Sequence, residues 1–129
     1  MEKDNLMEII EKGKIEYLDK SIDVNKLIWN DHPSYAGVSL KHLVSGQETE
    51  GRFSCHLVRV DARHEIGEHI HEDKWELHEV IYGSGKCIML DKEIPYQPGT
   101  AALIPAGIKH RVIAEQGTLY LLAKFVPAL

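Results

Sequence analysis

The sequence predicts an all-β domain, a barrel or sandwich of short strands preceded by a small helix and an arm. Three observations carry this. From Tyr35 onward apolar residues alternate or cluster in short runs broken by Gly, Pro, Asp and Asn. The runs recur at close spacing, as they do in sandwiches and barrels. No apolar period of 3.6 residues competes with them there. The expected division is an arm over residues 1–34 and a barrel over residues 35–129, one domain in a chain of 129 residues. A domain near this size buries roughly two-thirds of the surface of its unfolded chain, enough for one core.

In chain order, residues 5–13 read as a helix. Asn5 is a capping residue, Glu8 stands at the third helical position and Gly13 is placed to end the helix. Its apolar residues Leu6, Met7, Ile9 and Ile10 need a surface to dock on, because a helix this short is marginal alone. The stretch Ile15–Ser34 carries Tyr17, Leu18, Ile22, Val24, Leu27, Ile28 and Trp29. It reads as an arm with one or two edge strands, packed on the barrel or on a second subunit. The strand-like runs that follow are Gly37–Val44, Arg52–Val60, Glu76–Tyr82, Lys86–Leu90, Ala101–Ile104, Arg111–Ala114 and Thr118–Val126.

Composition narrows the functional classes. A net charge of −5 with no basic stripe argues against nucleic acid and anionic membrane surfaces as partners. No run is long and apolar enough to span a bilayer. The charged start of the chain does not resemble a signal peptide, so the expected location is cytoplasmic. Cys55 and Cys87 lie in separate strand runs and read as buried free thiols. The unusual count is eight His, four of which fall in patterned segments.

The first such segment runs from Gly67 to Gly83. His69 and His71 are two residues apart, which on a strand puts both rings on one face, about 6.6 Å apart along the backbone. Two imidazoles so placed can converge on one ion at roughly 2.0–2.1 Å from each nitrogen. Glu76 follows a short turn and opens the next strand, so a hairpin can bring its carboxylate to the same ion. His78 shares the face of Glu76. A lone His-x-His is a weak signal, and an exposed pair on a strand edge is the plainer reading; the added partners strengthen it. In the second segment, Pro98-Gly99 marks a turn, Thr100–Ile104 a buried strand and Pro105-Ala-Gly107 another turn, after which His110 enters a strand. Alone, His110 would read as a satisfied core or surface histidine.

Together the two segments resemble the paired signatures of the cupin superfamily. The first is met by His69-x-His71, four residues, Glu76, six residues and Gly83. The second is met by Gly99, five residues, Pro105-x-Gly107, two residues and His110. The interval Ser84–Pro98 matches the short hairpin of small cupins, and the resemblance covers about Tyr35 to Val126. Two positions depart from the pattern: Arg63 stands for the first Gly of the first signature, and Ala114 for the final Asn of the second. Neither position is a ligand in the family pattern. Arg63 reads first as a structural or solvated cation and second as a partner for a substrate carboxylate.

The resemblance implies a double-stranded β-helix, or jelly-roll barrel, holding one divalent transition metal through His69, His71, Glu76 and His110. It implies one or two open coordination positions. Three imidazoles and one carboxylate suit Fe, Mn, Ni, Zn or Cu. His78 is the expected catalytic residue, as a general base, a donor to substrate or a spare fifth ligand; the plainer reading is a polar residue lining a wet pocket. A register with His78 as third ligand in place of Glu76 fits the Glu76-to-Gly83 spacing less well. Glu79 has the opposite parity and should face away. Tyr82 and Tyr96 read as packing or hairpin residues, and Trp75 as a pocket wall or core residue. Arg59 and Arg111 read as cavity or surface, and Cys87 as an inert buried thiol.

The leading functional expectation is a metal-dependent enzyme acting on a small polar carboxylate or carbonyl compound, by dioxygenase, isomerase, decarboxylase or lyase chemistry. A non-catalytic binding or sensor module using the same pocket is the alternative, and a barrel with a structural ion the third. The arm is too short for a helix-turn-helix, which argues against a transcriptional regulator. The resemblance also implies a homodimer, with the Leu27-Ile28-Trp29 run either crossing to the partner or folding back on its own barrel.

Overall fold

A computed structural model of the protein describes residues 5–129. Residues 1–4 of the expected arm, on which the signal-peptide reading partly rests, lie outside them. The chain forms one helix, α1 (Leu6–Glu11), then β1 (Lys14–Glu16), β2 (Ser21–Asp23), β3 (Asn30–Asp31), β4 (Val38–Val44), β5 (Ser54–Val60) and β6 (Glu65–His69). It continues through β7 (Trp75–Tyr82), β8 (Gly85–Met89), β9 (Lys92–Tyr96), β10 (Ala101–Ile104), β11 (His110–Ala114) and β12 (Leu119–Val126). Antiparallel pairing assembles a six-stranded sheet in the order β10-β7-β12-β5-β4-β3 and a four-stranded sheet in the order β6-β11-β8-β9. This is the all-β, jelly-roll fold that the sequence predicts.

Strand alternation sets the inner face. Val38, Val58, Val60, Val80, Ala102, Ile104, Leu121, Ala123 and Phe125 of the large sheet meet Cys87, Tyr96, Val112 and Ala114 in one buried cluster. The seven expected strand runs all appear, with ends displaced by a residue or two. Two strands had no apolar run to announce them. Strand β6 reads Glu-Ile-Gly-Glu-His, and β9 reads Lys-Glu-Ile-Pro-Tyr, with Pro95 tolerated because β9 is an edge strand. Gly83 turns the chain from β7 to β8 at φ +84°, and a Cβ there would lie 2.2 Å from the Thr118 carbonyl oxygen, so only glycine fits.

The arm folds back on its own barrel. Leu27 and Trp29 pack with Met7, Val24, Leu43, Leu57 and Ile81 on the outer face of the large sheet, whereas Ile28 is exposed. The Trp29 ring lies 5.3 Å from the Lys41 ammonium and 4.3 Å from the Arg59 guanidinium, cation–π contacts that secure the arm. Lys41 is buried and sits 3.7 Å from Glu11 of α1. Three short strands replace the one or two expected in the arm: β1 pairs with β2, and β3 joins the barrel sheet beside β4. In the helix, the Asn5 side chain accepts the Glu8 N–H at 2.8 Å, as its capping role requires. The helix ends at Glu11 with Lys12 as its cap, two residues before Gly13. Met7 and Ile10, three apart, face the sheet, while Leu6 and Ile9 stay exposed, so half of the expected docking face is unused.

Arg63 lies in the turn before β6 with φ +63°, a left-handed conformation that costs a side-chain-bearing residue about 1–2 kcal/mol. This explains a Gly in the family pattern. The side chain is exposed and does not line the central cavity, so its structural reading stands. Arg63→Gly should stabilise the protein by up to about 1 kcal/mol once the backbone entropy of Gly is subtracted, raising the melting temperature by about 1–4 °C. A lowered melting temperature would show that the arginine side chain makes a compensating contact.

A second expectation concerns acid. His56 projects into the barrel from β5, its Nε2 2.8 Å from Ser54 Oγ and its Nδ1 2.7 Å from His42 Nδ1. Burial, then the neighbouring His42 charge, lowers its pKa to about 4. Between that value and the ordinary His range near 6.5, the unfolded chain takes up a proton that the folded chain refuses. Stability is therefore complete above about pH 6.5 and declines as the pH falls toward 4, by at most roughly 3 kcal/mol from this group. Denaturant titrations at pH 7 and pH 4.5 should show a smaller acid loss for His56→Gln than for the parent protein; equal losses would rule His56 out as the source.

Candidate metal centre

Two sheets and one loop supply the donors. His69 ends β6 and His110 begins β11, and the two are cross-strand partners in the small sheet with ring centroids 4.1 Å apart. Glu76 comes from the inner face of β7 in the large sheet, in register with Phe125 and Ile104. His71 lies beyond the end of β6, in the turn that carries the chain from one sheet to the other. This corrects two expectations. The two histidines are not both on a strand, and β6 and β7 do not form a hairpin. The His-x-His spacing works because β6 stops at His69 and the chain bends through His71 toward Glu76. The ligand atoms of His69, His71, Glu76 and His110 all lie within 4.8 Å of one another.

Backbone contacts fix how these groups point. Nδ1 of His69 donates to the Gly67 carbonyl at 2.7 Å, and Nδ1 of His110 donates to the Ile108 carbonyl at 2.9 Å. A neutral imidazole has one N–H, so both rings are left with a lone pair on Nε2. Nε2 of His110 stands 3.1 Å from Glu76 Oε1, and Nε2 of His71 stands 3.7 Å from the same oxygen. The Pro105-Ala-Gly107 turn serves both segments at once, because the Gly107 N–H holds the His71 carbonyl at 2.9 Å while Ile108 orients His110.

The electrostatics match a cation site. Burial works to raise the Glu76 pKa, but the neighbouring His78 and the hydrogen bonds with His110 and His78 reverse this and hold the carboxyl well below its usual range. Burial lowers the pKa of His69 and of His71, favouring the neutral form a metal requires. Burial also acts to lower that of His110, but its hydrogen bond to Glu76, its bond to Ile108 and the Glu76 charge outweigh this and raise it. Donor type, convergence and orienting second contacts all fit a divalent transition metal.

A cavity of about 90 Å³ opens beside the donors. Its walls include Val38, Leu40, Val58, Ile66 and Phe125, and its polar members are His32, His69, His71, Glu76 and His78. His78 is buried and stands outside the four-donor cluster, its Nε2 2.5 Å from Glu76 Oε2 and its Nδ1 2.8 Å from the Tyr96 hydroxyl. His32 and Tyr96 are the contributions that sequence reasoning missed. His32 is a lone histidine in an irregular stretch of the arm, with no motif around it. Tyr96 sits on an edge strand without an apolar pattern; only the assembled fold brings its hydroxyl to His78.

The remaining candidates fall outside the cavity. Glu79 points outward and pairs with Lys124. Trp75 and Tyr82 are substantially exposed and wall no part of the site. Arg59 binds Ser39 Oγ at 3.1 Å beneath the arm, and Arg111 pairs with Glu65 at 3.0 Å. Ala114 is buried in the core, and Cys55 and Cys87 are free thiols. No helix among the described residues is long and apolar enough to cross a membrane.

Comparison with known proteins bears on the fold. Solved structures of similar fold include a predicted oxalate decarboxylase from Thermotoga maritima, 19% identical, with a TM-score of 0.73 over 81% of this chain and 96% of that one. They include the polyketide cyclase RemF from Streptomyces resistomycificus, 20% identical, with a TM-score of 0.70 over 79% of this chain and 75% of that one. Ectoine synthase from P. lautus is 20% identical, with a TM-score of 0.69 over 89% of this chain and 78% of that one. At such identities these likenesses show the fold alone. No curated protein matches the chain in sequence. Residues 56–123, just over half of the chain, match the family described as Cupin domain, and they contain every donor of the cluster. The strand order, the convergent histidines and this match lead to one conclusion: the chain belongs to the cupin family.

Proposed function

We propose that this cupin is a metalloenzyme acting on a small organic molecule with a carboxylate or carbonyl end and an apolar body. The observation that carries this reading is the convergence of three imidazoles and one carboxylate on a small cavity whose other walls are apolar. Small-molecule sites have this character: mostly hydrocarbon lining with a few polar groups that set orientation. A divalent metal held by His69, His71, Glu76 and His110 would supply Lewis-acid polarisation of a bound oxygen atom. The named enzymes among proteins of similar fold support the reading by analogy.

The chain's own residues do the rest. Val38, Leu40, Val58, Ile66 and Phe125 exclude water and hold an apolar body. His32 faces the cavity from the arm, its ring 4.7 Å from that of Tyr35. Its Nδ1 accepts the Ser34 N–H at 3.0 Å, so the proton of the neutral ring sits on Nε2. Burial lowers its pKa and keeps that neutral form at neutral pH. His32 is thus a hydrogen-bond donor to a second polar group of the bound molecule. A homodimer and a cytoplasmic location belong to this proposal.

Elemental analysis of the purified protein should find about one transition metal per chain, and a His69→Ala/His110→Ala double variant should retain almost none. Metal content at background in the parent protein would remove the metal from the proposal. Small carboxylates and carbonyl compounds screened with the loaded protein, with oxygen consumption followed, should yield product in at least one case. Saturable binding without turnover across the screen would favour a carrier or sensor instead.

A further inference from the structure

His78 and Tyr96 form a buried pair behind Glu76, and their chemistry fixes which atom donates to which. A carboxylate that ligates a metal has no proton, so its oxygens only accept. Nε2 of His78 lies 2.5 Å from Glu76 Oε2 and must therefore carry the hydrogen. A neutral imidazole then has a bare Nδ1, which lies 2.8 Å from the Tyr96 hydroxyl, so the tyrosine must be the donor there. The order is closed: Tyr96 O–H to His78 Nδ1, and His78 Nε2–H to Glu76 Oε2. Glu76 is thereby divided. Its Oε1 faces His110 and His71, while its Oε2 is occupied by His78. Both side chains are almost wholly buried, His78 at 2% and Tyr96 at 1% exposure, so water does not compete for these bonds.

We infer that His78 is a positioning residue, held in one tautomer by Tyr96, that fixes the Glu76 carboxylate so that a single oxygen is presented to the metal. The inference rests on the metal-site reading above and assigns His78 a role other than base or fifth ligand. While Tyr96 donates to Nδ1 and Nε2–H donates to Glu76, neither nitrogen has a lone pair to offer a metal or a proton to take. Outer contacts of this kind change metal affinity about 10–100-fold when removed. Tyr96 lies on β9 at the edge of the small sheet and Glu76 on β7 in the large one, so the pair also sets the carboxylate relative to the sheet that carries His69 and His110.

The test uses full-length protein loaded with Zn(II) for magnetic resonance and with Co(II) for absorption. Long-range ¹H–¹⁵N correlation on the Zn(II) form should show His78 as the neutral Nε2–H tautomer. Tyr96→Phe, which keeps the ring and removes the hydroxyl, should weaken Co(II) binding about 10–100-fold and alter the Co(II) d–d absorption. His78→Gln, which can still donate to Glu76, should bind Co(II) more tightly than His78→Ala. Melting curves of the four proteins separate these effects from loss of fold. An Nδ1–H tautomer in the parent protein, or unchanged Co(II) affinity and spectrum in folded Tyr96→Phe, would overturn the inference and leave the metal site intact. A parent protein that binds neither ion would overturn the metal-site reading itself and remove the basis for this inference.

Discussion

The Nε2 lone pairs of His69 and His110, the imidazole of His71 and the Glu76 carboxylate approach one another where the two sheets of the barrel meet. Electron-rich atoms at such distances repel unless something positive lies among them. In a buried setting that requirement is strong, because an uncompensated carboxylate loses its hydration without gaining a partner. A proton on His110 answers it in part; a divalent ion answers it for all four groups. The rest of the site follows from this constraint. The Gly67 and Ile108 carbonyls turn the rings of His69 and His110, the Gly107 N–H holds the His71 backbone, and His78 takes the second oxygen of Glu76.

The same arrangement explains why the two sequence segments need one another. The small sheet pairs His69 with His110, so the first and second segments are hydrogen-bonded neighbours despite forty intervening residues. The chain then leaves the small sheet at His69 and enters the large sheet at Trp75, which delivers Glu76 from the opposite wall. An ion bound there would take ligands from both sheets and from the turn between them. Most of the apolar lining, Val38, Leu40, Val58 and Phe125, comes from the large sheet, and Ile66 comes from the small one.

Much of this was legible in the residues. Alternation marked the strands with apolar inner faces, such as β4, β5 and β12, because burial on one face of a strand imposes a period of two. The donor set His69, His71, Glu76 and His110 was legible through the resemblance to the paired cupin signatures, and the fold brings those four side chains within 4.8 Å of one another. What the sequence concealed has physical reasons. Strand β6 is paired on one side only, and its solvent-facing residues blur the pattern. That Leu27 and Trp29 fold back depends on Lys41 and Arg59, outward-facing cations on two other strands that only the assembled sheet sets over the indole. His32 and Tyr96 reach the site from an irregular segment and an edge strand, through contacts that no local spacing encodes.

The central claim is geometric, and diffraction addresses it most directly. Crystals grown with Mn(II) and measured across the manganese absorption edge should give one anomalous peak per chain. That peak should be bonded to His69, His71 and His110 through nitrogen and to Glu76 through one oxygen, at roughly 2.0–2.3 Å. A peak elsewhere on the chain, or none at saturating Mn(II) with the four side chains turned apart, would contradict it.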